Sequence, residues 1–300
     1  MNLQIKEVSK NKFLELVYDY HYSIVMPRHT KHYLGAFLND RLVGGLSLGW
    51  GTQPLNTIKK LFPALETKDY YEIGKMVMLD EMPRNSESQM LAEIVKWIKH
   101  NLPIQYLYTW ADGIVGKPGY VYQAANFYYG GFIWTDIYIS AEGEKIHPRS
   151  AKQLLKDNAD FEGKEKLFWL TPAYCRAMGI KRYRGKQFRY IYPMSGKARK
   201  ELEHSTVRWS NREFPKDKDL VWKVQVGKGE YVITDEKPEF HKLSININRG
   251  NYDANFGQPS RRRTPHAPDG GDRSAQQALF SPKVLSALSA DSGSTPPLVM

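Results

Sequence analysis

The sequence predicts a mixed α/β fold of α+β type: a central sheet of mixed strand direction flanked by helices, a small β-rich extension, and a disordered tail. Three observations lead there. Short strand-like runs alternate with runs whose apolar residues recur at helical spacing. Two apolar-rich segments meet around Asn39-Asp40-Arg41 as a hairpin. One amphipathic stretch, Ser86 to His100, stands between two strand-like runs.

The elements follow in order. LQIKEV near the N-terminus alternates as a strand. Ser9 stands where a helix N-cap would, ahead of Phe13, Leu16, Val17 and Tyr20 at helical spacing. HYLGAFLNDRLVGGLSLGW is the hairpin, and YEIGKMVML a third strand. From Ser86 to His100, Met90, Leu91, Ile94, Trp97 and Ile98 share one helical face. IQYLYTW is a strand. VYQAANFYY is a short helix that Gly130 and Gly131 should stop. FIWTDIYIS and KQFRYIYP are two further strands, separated by a basic insertion that contains a helix. LVWKVQV, EYVITD and KLSININ supply the extension. The expected division is a catalytic domain at 1–194, a basic C-terminal extension at 195–252 and a tail at 253–300. The tail is rich in Pro, Ser, Gly and Ala and has no Trp or Tyr after Tyr252.

Composition narrows the function. The net charge is +11, and the tail holds five Lys/Arg against four Asp, so the body carries almost all of it. Such a balance favours polyanions: nucleic acid, anionic membrane or phosphorylated cofactors. Cys175 is the only cysteine, which excludes an intramolecular disulfide and a cysteine-based structural zinc site. No run approaches the roughly 18 apolar residues of a membrane span, and the N-terminus lacks an apolar signal core. A soluble cytoplasmic protein with no membrane partner is expected.

Four stretches carry candidate chemistry. In LDEMPRNSESQ, Ser86 and Gln89 have the spacing of a capping box, which a well-capped helix would explain. A helix N-terminus after a strand is equally an anion site, with Arg84 beside it and Ser88 in its first turn. In WADGIVGKPGYVYQAANFYYGGF, a strand ends at Asp112, a glycine-rich loop follows, and a helix bears Tyr122, Gln123 and Asn126. Asp112 is either a turn-former or a group at a ligand-binding sheet edge. The third stretch, DYHYSIVMPRHTKHY, places His21, Tyr22, His29 and His32 near one helix end. Those histidines can move protons or ligate a metal, although no metal-ligand spacing is present. Finally, Arg176 to Lys200 has nine Lys/Arg and no Asp/Glu, with Tyr183, Tyr190 and Tyr192 interleaved. It reads as a solvated basic edge or as a nucleic-acid footprint of cations for phosphates and rings for bases.

The strand order, with RNSES and ADGIVGKPGYVYQAANFYYGGF, resembles the phage Mom family of DNA-modification proteins over roughly Leu3 to Pro193; that family is similar to the GNAT acyltransferase superfamily. The resemblance implies a GNAT-like sheet and transfer of a methylcarbamoyl (acetamido-type) group to the exocyclic amine of adenine in double-stranded DNA, which protects DNA from restriction. It also implies catalytic positions at His21, Tyr22, Ser88, Asp112 and Tyr122, with Ser86 competing for the serine position. Donor contacts are expected from Arg84, Asn85 and Ser86, and DNA contacts from Lys181, Arg182, Arg184, Lys186 and Arg189. An acyl-CoA-type donor and a metal such as iron are both compatible with the resemblance. Two departures stand out: MPRNSES has no glycine where the superfamily has a glycine-rich pyrophosphate loop, and NFYYGGF matches the superfamily's Tyr…Gly-Phe ending only approximately, through Tyr128. The alternative is a conventional GNAT N-acetyltransferase using acetyl-CoA on a small molecule, protein or tRNA.

Overall fold

The computed structural model describes residues 1–27, 29–51, 54–146, 170 and 172–241. The tail at 253–300 and the KLSININ segment therefore lie outside the described residues. Two compact units divide the chain: Met1–Trp134 with Lys186–Leu220, and Thr135–Gly185 with 221–241.

The first unit begins with strand β1 (Gln4–Glu7) and helix α1 (Lys10–Tyr20). Ser9 caps α1 as expected, its hydroxyl accepting from the Lys12 N–H. Strands β2 (Thr30–Leu38) and β3 (Arg41–Gly49) form the hairpin. Its turn residues, Asn39 and Asp40, both have positive φ (49° and 59°), the conformation whose twist matches that of the flanking strands. Helix α2 (Pro54–Leu61) was not legible: its few apolar positions sit in a stretch broken by Pro54 and Gly51. Strand β4 (Tyr70–Met78), helix α3 (Ser86–Asn101) and strand β5 (Tyr106–Ala111) follow where the spacing put them.

Helix α4 (Tyr120–Ala124) is shorter than expected. Asn126, with φ 62°, ends it in the left-handed conformation, and strand β6 (Tyr128–Ile139) already contains Gly130 and Gly131. The glycines therefore do not stop the helix. Gly130 instead lies against the Trp209 ring, which a Cβ there would meet at 2.2 Å.

In the first unit the strand order is β1-β2-β3-β4-β5, then β8 (Lys181–Pro193) and β6. The β1–β2, β2–β3, β3–β4 and β5–β8 pairings are antiparallel, and β4 runs parallel to β5. That parallel pair is short: Tyr70–Glu72 lie against Tyr106–Tyr108, and no further rungs form. Beyond Glu72, β4 stays bonded to β3 as far as Met78, and β5 stays bonded to β8 as far as Ala111. The sheet thus forks, with its opening toward the C-terminal ends of β4 and β5.

Alternation along the strands covers both faces. Leu107 joins a cluster with Phe13, Leu16 and Val17 of α1 and Met90, Leu91, Ile94 and Ile98 of α3. Tyr106 and Tyr108 join a second cluster with Ile58 and Leu61 of α2, Phe62, Ile191 and Leu202. Helix α3 buries the face expected of it, with Trp97 half-buried at the margin.

Strands β6 and β8 each run from the first unit into the second. There β7 (Lys145–Ile146) pairs with the end of β6. Helix α5 (Pro172–Ala177) contributes Tyr174 and Cys175 to a small core with Tyr138, Leu170 and Ile180. Strands β9 (Trp222–Gln225) and β10 (Tyr231–Thr234) form a hairpin, and β9 adds to β8 at Tyr183–Gly185. Two of the three extension strands are therefore in place. Helix α6 (Gly196–Glu201) belongs to the first unit, where Ala198 and Leu202 enter the second apolar cluster.

Candidate active site

The end of α1 supplies the first side chains. The His21 N–H closes the helix onto the Val17 carbonyl (3.0 Å), and the chain then leaves in extended conformation. It passes Pro27, which lies directly over Gly74 of β4, where a Cβ would sit 2.7 Å from the proline Cγ. That close approach carries the His21–Pro27 segment across β4 beyond the point where the sheet forks.

Tyr22 reaches Asp112, the residue after β5, and its hydroxyl donates to Asp112 Oδ2. Gln187 of β8 donates to Oδ1 of the same carboxylate at 2.8 Å. Three segments separated by 75 to 90 residues thus meet on one carboxylate. The His21 and Tyr22 rings stack at 4.4 Å, and the Ser23 N–H donates to His21 Nδ1 at 2.9 Å. Lys117 ranks as exposed, yet its ammonium stands over the Tyr22 ring at 4.5 Å. Desolvation lowers the Lys117 pKa, while Asp112 and Glu87 pull it back up. Glu87 is in the first turn of α3, so that pull ties the start of α3 to the loop after β5.

Burial keeps Tyr22 protonated, with the Asp112 charge adding to the effect, so its pKa lies well above the ordinary tyrosine range. Tyr22 is therefore a donor at neutral pH. Tyr122 is buried nearby, its ring 5.4 Å from Tyr190 and 5.5 Å from Phe127. Desolvation pushes its pKa up to about 12, opposed by a hydrogen bond from buried Thr109.

The start of α3 differs in detail from the expected capping box. Asn85, not Ser86, is the N-cap, and it takes φ 69°, a left-handed conformation that asparagine tolerates better than most residues. This turn does what a glycine would otherwise do, which accounts for a glycine-free MPRNSES. The Asn85 side chain makes no capping bond to the first-turn N–H groups. Ser86 is 1% exposed, and its hydroxyl donates to the Pro83 carbonyl at 2.5 Å, so it is turned into the fold. Ser88 is only partly buried and bonds the Asn85 carbonyl at 2.9 Å, while Arg84 and Asn85 are exposed. Of the two serines, Ser88 is the one open to a ligand. Accordingly Ser86→Ala should cost about 1 kcal/mol of stability and Ser88→Ala less than about 0.5, which urea unfolding would measure.

The histidines do not converge. His32 Nδ1 lies 2.7 Å from Glu7, on the edge strand β1 side of the hairpin. Among the described residues no three His, Cys, Asp or Glu stand together as a metal site.

The basic strand is mostly committed within the fold. In the second unit Asp136 takes Arg182 at 2.6 Å and Arg184 at 2.8 Å, and this pairing holds the Asp136 pKa below the usual carboxylate range despite burial. Arg184 also stands 4.2 Å over the Tyr231 ring. In the first unit Lys186 donates to the Asp219 carbonyl (2.7 Å), and Arg189 lies over Trp110 and reaches the Gly130 carbonyl. Lys181 is the exposed one of the five. Counting cations in sequence could not reveal this, because Asp136 lies 46 and 48 residues upstream of its partners.

Sequence reading missed Gln187, Lys117 and Glu72. Glu72 occupies the last rung before the fork, with Gly51 close against its carboxylate. Desolvation raises its pKa to about 7. The available signal was a lone carboxylate in YYEIGKMVML, a run that is apolar and aromatic apart from Glu72 and Lys75. The folded protein keeps the Glu72 proton up to about pH 7, whereas the unfolded chain releases it near 4.5. Unfolding between those values releases a proton, so this group lowers stability as pH rises through that window and not outside it. Glu72→Gln should then gain up to about 3 kcal/mol at pH 8 and little at pH 4.5, as melting at the two pH values would reveal.

A forked sheet with helices on both faces, a helix start after β4 whose N-cap side chain makes no capping bond, and a single carboxylate after β5 held by Tyr22 and Gln187 characterise the architecture. Solved structures similar to the chain are acetyltransferases. An aminoglycoside acetyltransferase in complex with coenzyme A matches 44% of this chain and 87% of its own length at 9% identity, with a TM-score of 0.34. An N-acetyltransferase from Staphylococcus aureus Mu50 matches 65% of this chain and 99% of its own at 11% identity and a TM-score of 0.32. The chain itself belongs to the Mom protein family, which matches residues 2–216. The methylcarbamoylase mom of Escherichia phage Mu is 30% identical over 197 residues, covering 65% of this chain and 76% of the phage protein. No helix among the described residues is long and apolar enough to cross a membrane.

Proposed function

We propose that this protein transfers a methylcarbamoyl group to the N6 amine of adenine in double-stranded DNA and so shields the DNA from restriction nucleases. The observation that carries the reading is the Asp112 carboxylate, held by Tyr22 and Gln187 at the open end of the fork in a Mom-family chain.

Asp112 accepts one bond on each oxygen, which leaves about two of its roughly four lone-pair positions for a substrate N–H. The adenine amine attacks the donor carbon, the leaving group departs with the bonding electrons, and the amine proton passes to Asp112 or His21. Tyr22, protonated at neutral pH, fixes the carboxylate and adds no competing base. Tyr122 and its ring neighbours form the apolar wall beside the base.

An acyl-CoA-type donor fits the residues at the start of α3 in charge and in backbone form. Arg84, the Asn85 turn and the first-turn N–H groups would hold its phosphates, and Ser88 would face it; Ser86 would not. When bound, the donor supplies the activated carbon. Lys181 would meet the DNA backbone, and Arg182, Arg184, Lys186 and Arg189 would act chiefly by shaping the strand that carries Gln187.

The test is a digestion pattern. Plasmid from cells expressing the protein should resist nucleases whose sites contain adenine and remain cleavable at sites of G and C alone. Equal cleavage at both kinds of site would refute the reading. If the DNA is unaltered and acetyl-CoA raises the melting temperature, the chain is a conventional acetyltransferase acting on another amine.

A further inference from the structure

The first unit holds a cavity of about 340 Å³ at the end of the sheet away from Asp112. Strand register sets its place. Ala111, beside Asp112, pairs with Phe188, whereas Tyr192, which lines the cavity, pairs with Leu107 at the other end of β5. Gln187 and Tyr192 are thus about 17 Å apart along β8, at roughly 3.3 Å per residue. Three half-buried rings, Tyr128, Tyr192 and Phe214, line the cavity together with exposed Asn126, Arg199 and Asn211.

The walls are pinned by the fold. Tyr192 and Phe214 pack against the apolar cluster of α1 and α3, and Tyr128 against that of α2. Gln123 Nε2 donates to the Pro215 carbonyl at 3.0 Å, which holds the segment bearing Phe214. Tyr129 and Ser210 exchange backbone bonds at 2.7 and 2.8 Å, which ties the segment bearing Asn211 to the start of β6. The Tyr106 hydroxyl donates to the Ala198 carbonyl at 2.7 Å and so fixes α6, which carries Arg199. A preformed cavity costs little ordering when a ligand enters.

The polar groups at the cavity are unspent. Among the described residues, the Asn126 and Asn211 amides, the Arg199 guanidinium and the Tyr128 hydroxyl have no hydrogen-bond or ion-pair partner. Arg199 differs in this from Arg182 and Arg184, which Asp136 neutralises. No Asp or Glu is among the described lining residues, and the Lys99 ammonium stands 5.1 Å over the Tyr192 ring.

We propose that this cavity binds one nucleotide, the rings taking the base, the amides its edge and Arg199 its phosphate. Aromatic faces stack on any base. Asparagine amides carry both donors and an acceptor, so they meet the edge of any base. The arginine fork matches a phosphate. The volume stands at the lower end of the range of about 300–1,000 Å³ for ligand cavities, which suits a single nucleotide and not a dinucleotide. The nucleotide is either free or an unpaired member of a DNA strand. The second source rests on the DNA reading above: the strand would be gripped about 17 Å from Asp112, roughly five stacked nucleotides at 3.4 Å each.

Titration of the full chain with dCMP, deoxycytidine and inorganic phosphate tests the site. A cytosine nucleotide keeps the adenine-directed site out of the measurement. The unaltered protein should bind dCMP at a single site, more tightly than deoxycytidine or phosphate. Arg199→Gln should weaken dCMP about tenfold or more and leave deoxycytidine unchanged, since a hydrogen bond to a charged group is what it removes. Arg199 is exposed and unpaired among the described residues, so this variant keeps the parental fold. Phe214→Leu should weaken dCMP and deoxycytidine alike, by about fivefold or more. Single-stranded oligo-deoxycytidine that displaces dCMP, and that Arg199→Gln also weakens, identifies a DNA strand as the source; an oligonucleotide that leaves dCMP in place identifies the free nucleotide. Absence of dCMP binding, or dCMP binding that neither substitution changes, overturns the site. Adenine modification in co-expressing cells is read separately: its presence beside a failed titration overturns the cavity alone. Its absence beside dCMP binding that Arg199→Gln weakens overturns the DNA reading and leaves a site for a free nucleotide.

Discussion

Asp112→Asn is expected to lower the yield of modified deoxyadenosine by about 10²–10⁴-fold, the range a positioned proton acceptor contributes. Asparagine retains an oxygen for the Tyr22 hydroxyl, so the buried donor keeps an acceptor and the fold survives. The amide is neutral and cannot take the amine proton, and its NH₂ would face the Gln187 NH₂ that now donates to Oδ1. Alanine would be a poorer choice, because it strands the Tyr22 hydroxyl without its acceptor. Nucleosides from DNA isolated after co-expression give the readout, with a circular-dichroism melt as the check on folding. A variant that folds and still modifies DNA at the parental level would remove Asp112 from the chemistry.

The largest expected effect on stability comes from Gly45→Ala. A Cβ at Gly45 would sit 2.4 Å from the Leu34 carbonyl oxygen. That oxygen is backbone within the β2–β3 hairpin, and neighbouring Leu34 and Leu46 are fully buried. Relief must come from shifting a strand that also carries β4 on its other side. The cost should be roughly 3 kcal/mol, the upper part of the range for overfilling a core, which lowers the melting temperature by roughly 6–12 °C. A melt within about 2 °C of the parent would show that the hairpin yields more easily than its pairing implies.

Much of the fold was legible because it rests on local signals. The Ser9 cap, the Asn39-Asp40 turn and the helical face of Met90, Leu91, Ile94 and Ile98 each lie within a few residues of the structure they specify. Two local signals misled for a physical reason. Ser86 and Gln89 have capping-box spacing, but the left-handed turn falls at Asn85 and moves the helix start by one residue. Gly130 and Gly131 look like helix stops, whereas Gly130 exists to admit the Trp209 ring from 79 residues away.

The candidate site was legible only as residue types. His21, Tyr22 and Asp112 could be named from the family resemblance, and the fork brings Tyr22 and Asp112 together. Gln187 lies 75 residues from the carboxylate it holds, and nothing in KQFRYIYP distinguishes that glutamine from any other strand residue. The basic strand shows the opposite failure. Its charges are conspicuous in sequence, yet Asp136 absorbs two arginines, and aromatic rings and carbonyls engage two more of its cations. Charge density in a segment therefore overstated the cations left for a polyanion.

The central claim is that the cluster on Asp112 acts on adenine in DNA. Mass spectrometry of nucleosides from DNA co-expressed with the protein tests it most directly, since the cell supplies whatever donor is needed. The account predicts a deoxyadenosine heavier by one methylcarbamoyl group, with deoxyguanosine, deoxycytidine and thymidine unchanged. Unmodified deoxyadenosine alongside abundant folded protein, or a modification on any other base, would contradict it.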